Sequence, residues 1–368
     1  MVSFYSFLPL TAISILTLLF WRIQPALRPA WAAVGFITIL CSLTDWVLLA
    51  RLPHLGLSFG PVSPPLFMVN LLRLVPILLA LSLIARSDSS WQRITILLAV
   101  SLFQLLLLGM AYNSLYVEPF HLTVSELQIP QAPAFLPDRP LHILQLTDLH
   151  VEYISPRERA MLAEVNTLAP DLIVLTGDYI NKSYLNDTRS LQETRQLLSQ
   201  LHAPYGVFAV NGNVDSAYTI STIFAGLDNI RVLDDETVPI SFPGGTLYLV
   251  GVTTVDHDRD YLEIESLMSK LSLDDYSLLL YHYPERIDIA SAFGVDLYLA
   301  GDTHGGQVRL PILGAVGTSS LRNPYVMGKY QVGPTTLYVS RGLGMQGGIW
   351  PRIRFMCPPE MVVVSLGK

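Results

Sequence analysis

Four apolar stretches, at about residues 3–21, 30–50, 64–85 and 94–113, fill the first third of this 368-residue chain with almost no charge inside them. A helix needs ~20 apolar residues to cross ~30 Å of hydrocarbon, and each stretch is close to that length. Core helices of a soluble protein fit poorly, because runs this long follow one another with only short loops between them. A cleaved signal peptide would account for the first run alone, and no basic segment precedes it. Residues 1–113 are therefore read as four transmembrane helices.

Charge divides the chain at the same place. Residues 1–138 hold six Arg, no Lys and five acids, whereas the remainder holds 17 basic and 25 acidic residues. Neither part has the basic excess that nucleic-acid binding requires. Only 14% of the residues are charged, well below the roughly one quarter of an ordinary soluble domain. The two cysteines, Cys41 and Cys357, do not amount to a disulfide framework.

Arginine placement sets an expected orientation. Arg22 and Arg28 follow the first span and Arg86 and Arg93 the third, while the opposite side has only Arg51. The positive-inside rule puts the two pairs in the cytoplasm, and so places both termini and the distal domain outside it, at the cell membrane. Asp45 and Arg73 interrupt the second and third spans at similar depth. A structural ion pair is the expectation, since neither has a proton-relay neighbour. The spans show no broken-helix or repeat signal of a transporter.

Residues 114–138 contain Pro119, Pro130, Pro133 and Pro137 and are expected as a proline-rich linker to a domain spanning 139–368. From Leu141 short apolar runs alternate with amphipathic segments. Leu141–His150, Asp171–Ile180 and Gly206–Asp215 read as strands with their following loops, and Ser155–Pro170 and Thr188–His202 as helical segments. Ser155 and Glu158 are spaced as a capping box at the start of the first helix. Later strand-like runs outnumber helices, which indicates an α/β protein with a central sheet or a two-sheet core flanked by helices.

The chemistry lies just past the strands. Asp148 and His150 follow the first, Gly177-Asp178 the second, Gly212-Asn213-Val214-Asp215 the third, and His282 and Gly301-Asp302-Thr303-His304 two later ones. Ligands of open α/β sheets bind at the carboxyl ends of strands, so these donors can converge across more than 150 positions of sequence. Asp, Asn and His together suit Mn²⁺, Fe²⁺ or Zn²⁺.

D-x-H, G-D, G-N, an isolated His and a closing His in this order resemble the calcineurin-like metallophosphoesterase superfamily. The run GDTHGGQVRLP with SRGLG resembles its membrane-associated branch. The resemblance covers residues 141–366 and implies that family's two-sheet core. It also implies two divalent cations, the first held by Asp148, His150 and His304 and the second by Asn213, His282 and Asp302, with Asp178 bridging. A metal-bridging hydroxide would then attack phosphorus, and Asp178, Asn213 and His304 would be catalytic. The substrate would be a phosphate ester or diester, and membrane attachment suggests a lipid-linked one.

Two positions depart from the pattern. Val214 stands where the family has a His near the leaving group, and Asp302 where it has a metal-ligating His. The carboxylate favours a harder ion and hence Mn²⁺. Loss of the His removes an acid that can contribute ~10²–10⁴-fold, and His202, Tyr281, Tyr283, His257 and Arg341 are candidate replacements. A metal- or phosphate-binding sensor or partner module with weakened turnover is the alternative reading.

Overall fold

The computed structural model describes residues 8–23, 27–130, 139–242, 245–254, 259–272, 274–316, 323–347 and 351–367. They form two units, Met1–Val117 with Gly347–Arg352, and Glu118–Gln346 with Ile353–Lys368.

The first unit is built from helices α1 (Leu8–Ile23), α2 (Arg28–Arg51), α3 (Ser63–Ala85) and α4 (Ser90–Tyr112). Prolines in the opening turns of α2 and α3 start them without wasting a backbone donor. The helices α2, α3 and α4 are long and apolar enough to cross a membrane. Among the described residues three helices rather than the expected four reach this length, α1 being described over 16 residues, which rise ~24 Å against ~30 Å of hydrocarbon. The expected start of that span at Ser3 lies outside the described residues.

Asp45 and Arg73 meet as expected, and more partners join them than their spacing indicates. Arg73 donates to Asp45 Oδ2 from Nε at 2.9 Å and from Nη2 at 2.6 Å. Its Nη1 donates to the Gln104 carbonyl at 2.8 Å, and Gln104 Nε2 donates back to the Arg73 carbonyl at 3.1 Å. All three side chains are buried, so one ion pair ties α2, α3 and α4 together.

The second unit contains, in order, β1 (Thr123–Ile129), β2 (Leu141–Leu146), α5 (Pro156–Leu168), β3 (Leu172–Thr176), α6 (Thr188–Leu198), β4 (Val207–Val210), α7 (Ala217–Ile223), β5 (Ile230–Val232), β6 (Glu236–Phe242) and β7 (Gly245–Gly251). It continues with α8 (Asp260–Met268), β8 (Tyr276–Leu280), α9 (Ile287–Ala292), β9 (Leu297–Ala300), β10 (Arg309–Leu310), β11 (Gly314–Ala315), β12 (Gly328–Val332), β13 (Thr335–Val339) and β14 (Glu360–Leu366). One six-stranded sheet runs β1-β14-β2-β3-β4-β5 and a second runs β12-β13-β9-β8-β7-β6, with β10 and β11 forming a separate hairpin. This is the expected two-sheet α/β architecture.

Period-two alternation explains the layers. Leu172 and Val174 on β3 enter the core shared by the two sheets, with Leu278 and Leu280 of β8 and Leu297 and Leu299 of β9. The intervening Ile173 and Leu175 pack instead with Met161 and Val165 of α5 and Leu191 and Leu197 of α6. On the other sheet Leu279 and Tyr298 face Ile264 of α8 and Ile287 of α9. Strands buried on both faces read as continuous apolar runs. The α5 cap is as the sequence indicates, with Ser155 and Glu158 forming a reciprocal capping box.

The linker expectation for 114–138 is corrected by β1, which pairs in parallel with β14 over its whole length. Pro119 and Pro130 flank the strand rather than interrupt it, leaving seven residues whose amides are available to a ladder. Pro133 and Pro137 lie outside the described residues.

Replacing one member of a buried ion pair strands the other charge, which costs about 3–5 kcal/mol, whereas an apolar pair of similar volume is often neutral. Arg73→Met is therefore expected to lower the thermal stability of the helical unit in detergent, and Asp45→Leu with Arg73→Met to recover most of the loss. Equal destabilisation by the single and double variants would show that the pair is not what holds α2 and α3 together.

Candidate metal centre

Five of the seven expected ligands sit in the left-handed backbone region, with φ of 51° at Asp148, 39° at His150, 58° at Asp178, 66° at Asp302 and 52° at His304. Side chains other than glycine adopt this conformation at a cost that the surrounding fold must bear, and such residues cluster at functional sites. Each lies a few residues past the carboxyl end of β2, β3 or β9, where the chain turns sharply enough to aim its side chain inward. Two glycines make the close approach possible. A Cβ on Gly212 would collide with the Asp178 carboxylate, and one on Gly342 would lie 2.5 Å from Asp148 Cβ.

The donors converge. His150 Nε2 and His304 Nε2 are 3.0 Å apart, and His304 Nε2 is 3.4 Å from Asp148 Oδ1. Asp178 Oδ2 lies between His150 Nε2 at 3.4 Å and His282 Nε2 at 3.6 Å. Asp302 Oδ1 is 3.8 Å from His282 Nε2. Two groups could hold an ion, Asp148 with His150 and His304, and Asp148 with Asp178 and His282, their ligand atoms within 4.8 Å of one another. Asp148 is thus common to both, alongside Asp178, which faces histidines of both. Asn213 is exposed, and its side chain is hydrogen-bonded to the Tyr283 phenol.

The donor set fits cations rather than protons alone. Asp148 Oδ1 and His282 Nε2 are buried without a hydrogen-bond partner, a state that costs on the order of 1–3 kcal/mol per group. His282 Nδ1 lies 2.7 Å from the Thr176 carbonyl. A carbonyl only accepts, so Nδ1 carries a hydrogen and Nε2 is the atom directed at the pocket, where it can give its lone pair to a cation once its own proton has left. His150 and His304 likewise point ring nitrogens at one place.

Burial dominates the electrostatics. It pushes His150 down to about 4 and Asp148 up to about 7, and takes His304 well below its usual value. Burial also opposes charge on His282 and Asp178, but their mutual attraction overcomes it, holding His282 well above the usual range and Asp178 well below.

Two residues already singled out in the sequence, Asp215 of the third motif and Tyr283 among the candidate replacements, gain a place at the site only from the structure. Asp215 Oδ2 accepts from the Asp178 and Gly212 amides, both at 2.7 Å, and Oδ1 from the Tyr179 amide at 3.1 Å. It ties together the turns after β3 and β4 and so positions Asp178. Nothing in its own segment shows that its partners lie 36 and 37 residues away. Tyr283 is the second, one residue past a ligand candidate. Among the other suggested replacements for the missing His, Tyr281 donates to Asp260, Arg341 pairs with Glu360 at 3.2 Å, and His202 is exposed. His257 lies outside the described residues.

A carboxylate–imidazole pocket at the carboxyl ends of strands from two facing sheets defines a metal-dependent phosphoric ester hydrolase. The calcineurin-like phosphoesterase family model matches residues 141–306. An uncharacterized metallophosphoesterase of Bacillus subtilis, YkuE, is 32% identical over 241 residues, covering 61% of this chain and 78% of that protein. The UDP-2,3-diacylglucosamine pyrophosphatase LpxG of Chlamydia trachomatis is 26% identical over 304 residues, covering 68% and 90%. A dimetal phosphatase from Danio rerio aligns at TM-score 0.40 and 11% identity, over 62% of this chain and 100% of that one. The chain belongs to the calcineurin-like metallophosphoesterase family.

The raised pKa values of Asp148 and His282 set a sign for metal binding. Each favours the folded protein while protonated, and that contribution fades as pH rises through the folded-state value, about 7 for Asp148. Cations replace the lost protons, so Mn²⁺ is expected to raise the Tm of chelator-treated protein more at pH 8 than at pH 6. The same increment at both pH values, or a larger one at pH 6, would contradict this.

Proposed function

We propose that the chain is a membrane-anchored phosphoesterase that uses two divalent cations, Mn²⁺ by preference, to hydrolyse a phosphate ester or diester carried on a lipid. The convergence of Asp148, His150, Asp178, His282 and His304, with buried donor atoms lacking protein partners, carries the reading. Three helices long and apolar enough to cross a membrane support the anchoring, and the similarity to LpxG, named for a diacylated sugar nucleotide, supports the lipid-linked substrate. The arginine distribution supports an extracytoplasmic catalytic domain.

Bound cations would supply charge neutralisation and a water acidified enough to attack phosphorus at neutral pH. The chain's residues do the rest. Asp148, His150 and His304 would hold one cation, Asn213, His282 and Asp302 the other, and Asp178 faces histidines of both sets. Asp178 is kept ionised chiefly by His282 and held in place by the Val214 amide, which donates to its Oδ1 at 2.9 Å, while Asp215 fixes its backbone. Water adds to phosphorus, the bond to the leaving oxygen breaks, and that oxygen needs a proton. The Val214 side chain cannot give one. Tyr283, raised to about 12 first by burial, stays a neutral phenol next to Asn213, which supports it as the proton donor.

Purified full-length protein with Mn²⁺ is expected to hydrolyse bis(p-nitrophenyl) phosphate, and Asp178→Asn or His304→Ala to lower turnover at least about 100-fold with a loss of bound metal. Metal uptake without any hydrolysis, unchanged by Val214→His, would instead favour the sensor reading, to which the buried apolar side chain of Val214 lends support.

General-acid assistance matters most when the leaving group is poor. Tyr283→Phe should therefore slow an alkyl phosphodiester by at least about tenfold more than a nitrophenyl one. Equal slowing of both substrates would remove Tyr283 from the proton-donor role.

A further inference from the structure

Beyond the residues matched by the family model, β10 and β11 form a hairpin whose tip is Pro311-Ile312-Leu313. Ile312 is 106% exposed and Leu313 74%. Val316 and Met356 are exposed beside them, Met356 through the bridge that pairs Phe355 with Val308 at the hairpin's base. Among the described residues, eight large apolar side chains beyond Val117 are exposed, and four of them belong to this one patch. The other exposed apolar residues of the chain lie mostly on α1–α4, where lipid would cover them.

The tip is also held in an unfavourable conformation. Ile312 has φ of 71°, a value that glycine or asparagine adopts readily and a β-branched side chain does not. A turn selected for folding alone would carry one of those residues. Here a bulky apolar side chain occupies the strained position and projects into solvent. The base of the hairpin is tied to the metal centre, since Arg309 Nη1 donates to the Gly305 carbonyl at 2.9 Å, next to His304.

The chain itself identifies what covers the tip. Three of its helices are long and apolar enough to cross a membrane, so a bilayer is the apolar phase available to a chain that also exposes a tip of this kind. Residues 303–359 contain no Asp or Glu to repel an anionic headgroup surface, and Arg309 at the hairpin's base is partly exposed, whereas Arg352 and Arg354 are buried and Arg341 pairs with Glu360. None of these observations asks for a protein partner.

We infer that the hairpin Arg309–Val316 inserts its Ile312–Leu313 tip into the bilayer interface and so admits to the metal centre a phosphate whose lipid remains in the membrane. This rests on the phosphoesterase reading above and names how its substrate arrives.

The test uses full-length protein in nanodiscs of phosphatidylcholine and phosphatidylglycerol. Cys41 and Cys357 are buried, so Ile312→Cys can carry an environment-sensitive fluorophore, with exposed Lys329→Cys as the control position. Quenching by a doxyl-labelled lipid is expected at 312 and not at 329. Ile312→Ser with Leu313→Ser is expected to slow hydrolysis of phosphatidyl-p-nitrophenol at least about tenfold, leaving that of soluble bis(p-nitrophenyl) phosphate unchanged. The two substrates share a leaving group and differ in the lipid. Absence of quenching at 312, or an equal loss on both substrates, overturns the inference. If the unsubstituted protein hydrolyses neither substrate, the phosphoesterase reading fails, and the quenching result still decides whether the tip meets lipid.

Discussion

Three carboxylates and three imidazoles packed into one largely buried pocket constitute an arrangement that bulk water stabilises poorly and protons satisfy only in part. Asp148, Asp178, His150 and His282 are fully or almost fully buried, and their acidities are pulled in opposite directions by burial and by one another. Cations resolve this conflict because each can accept lone pairs from several donors at once. The left-handed backbone at five ligand positions and the glycines pressed against Asp178 and Asp148 are all means of holding that pocket together.

The two-sheet core is what lets distant segments reach it. Parallel order within β2-β3-β4 and within β7-β8-β9-β13 puts carboxyl ends side by side in each sheet. The shared apolar layer between the sheets then brings the loop after β2 against the loop after β9. Gln145 Nε2 spans the gap directly, donating to the Ala300 carbonyl at 3.0 Å. Hydrophobic packing therefore fixes the relation of the two ligand sets, and the loops supply only the final orientation.

The helical unit applies the opposite principle. The exposed residues of α2, α3 and α4 are mostly apolar, so specificity among these helices comes from the few polar groups buried between them. Ser42 Oγ donates to Asn70 Oδ1 at 2.6 Å on the same side as the Asp45–Arg73 pair. The catalytic unit carries its own apolar feature in the β10–β11 hairpin, where burial is withheld rather than provided.

The sequence by itself determined whatever depends on local spacing. Apolar runs of helical length marked α2, α3 and α4, apolar runs ending in Asp, Asn or His marked the strand ends, and Ser155 with Glu158 marked a helix start. Those signals are short-range, because period, capping and turn chemistry act within a few residues. Only the tertiary structure decided that β1 pairs with β14 across more than 200 residues, that Asp215 holds Asp178, that Tyr283 lies at Asn213, and that the 309–316 hairpin is left uncovered. Each of these is a contact, or a missing contact, between segments far apart in the chain. It is set by how the layers pack, which residue order alone does not encode at any one position.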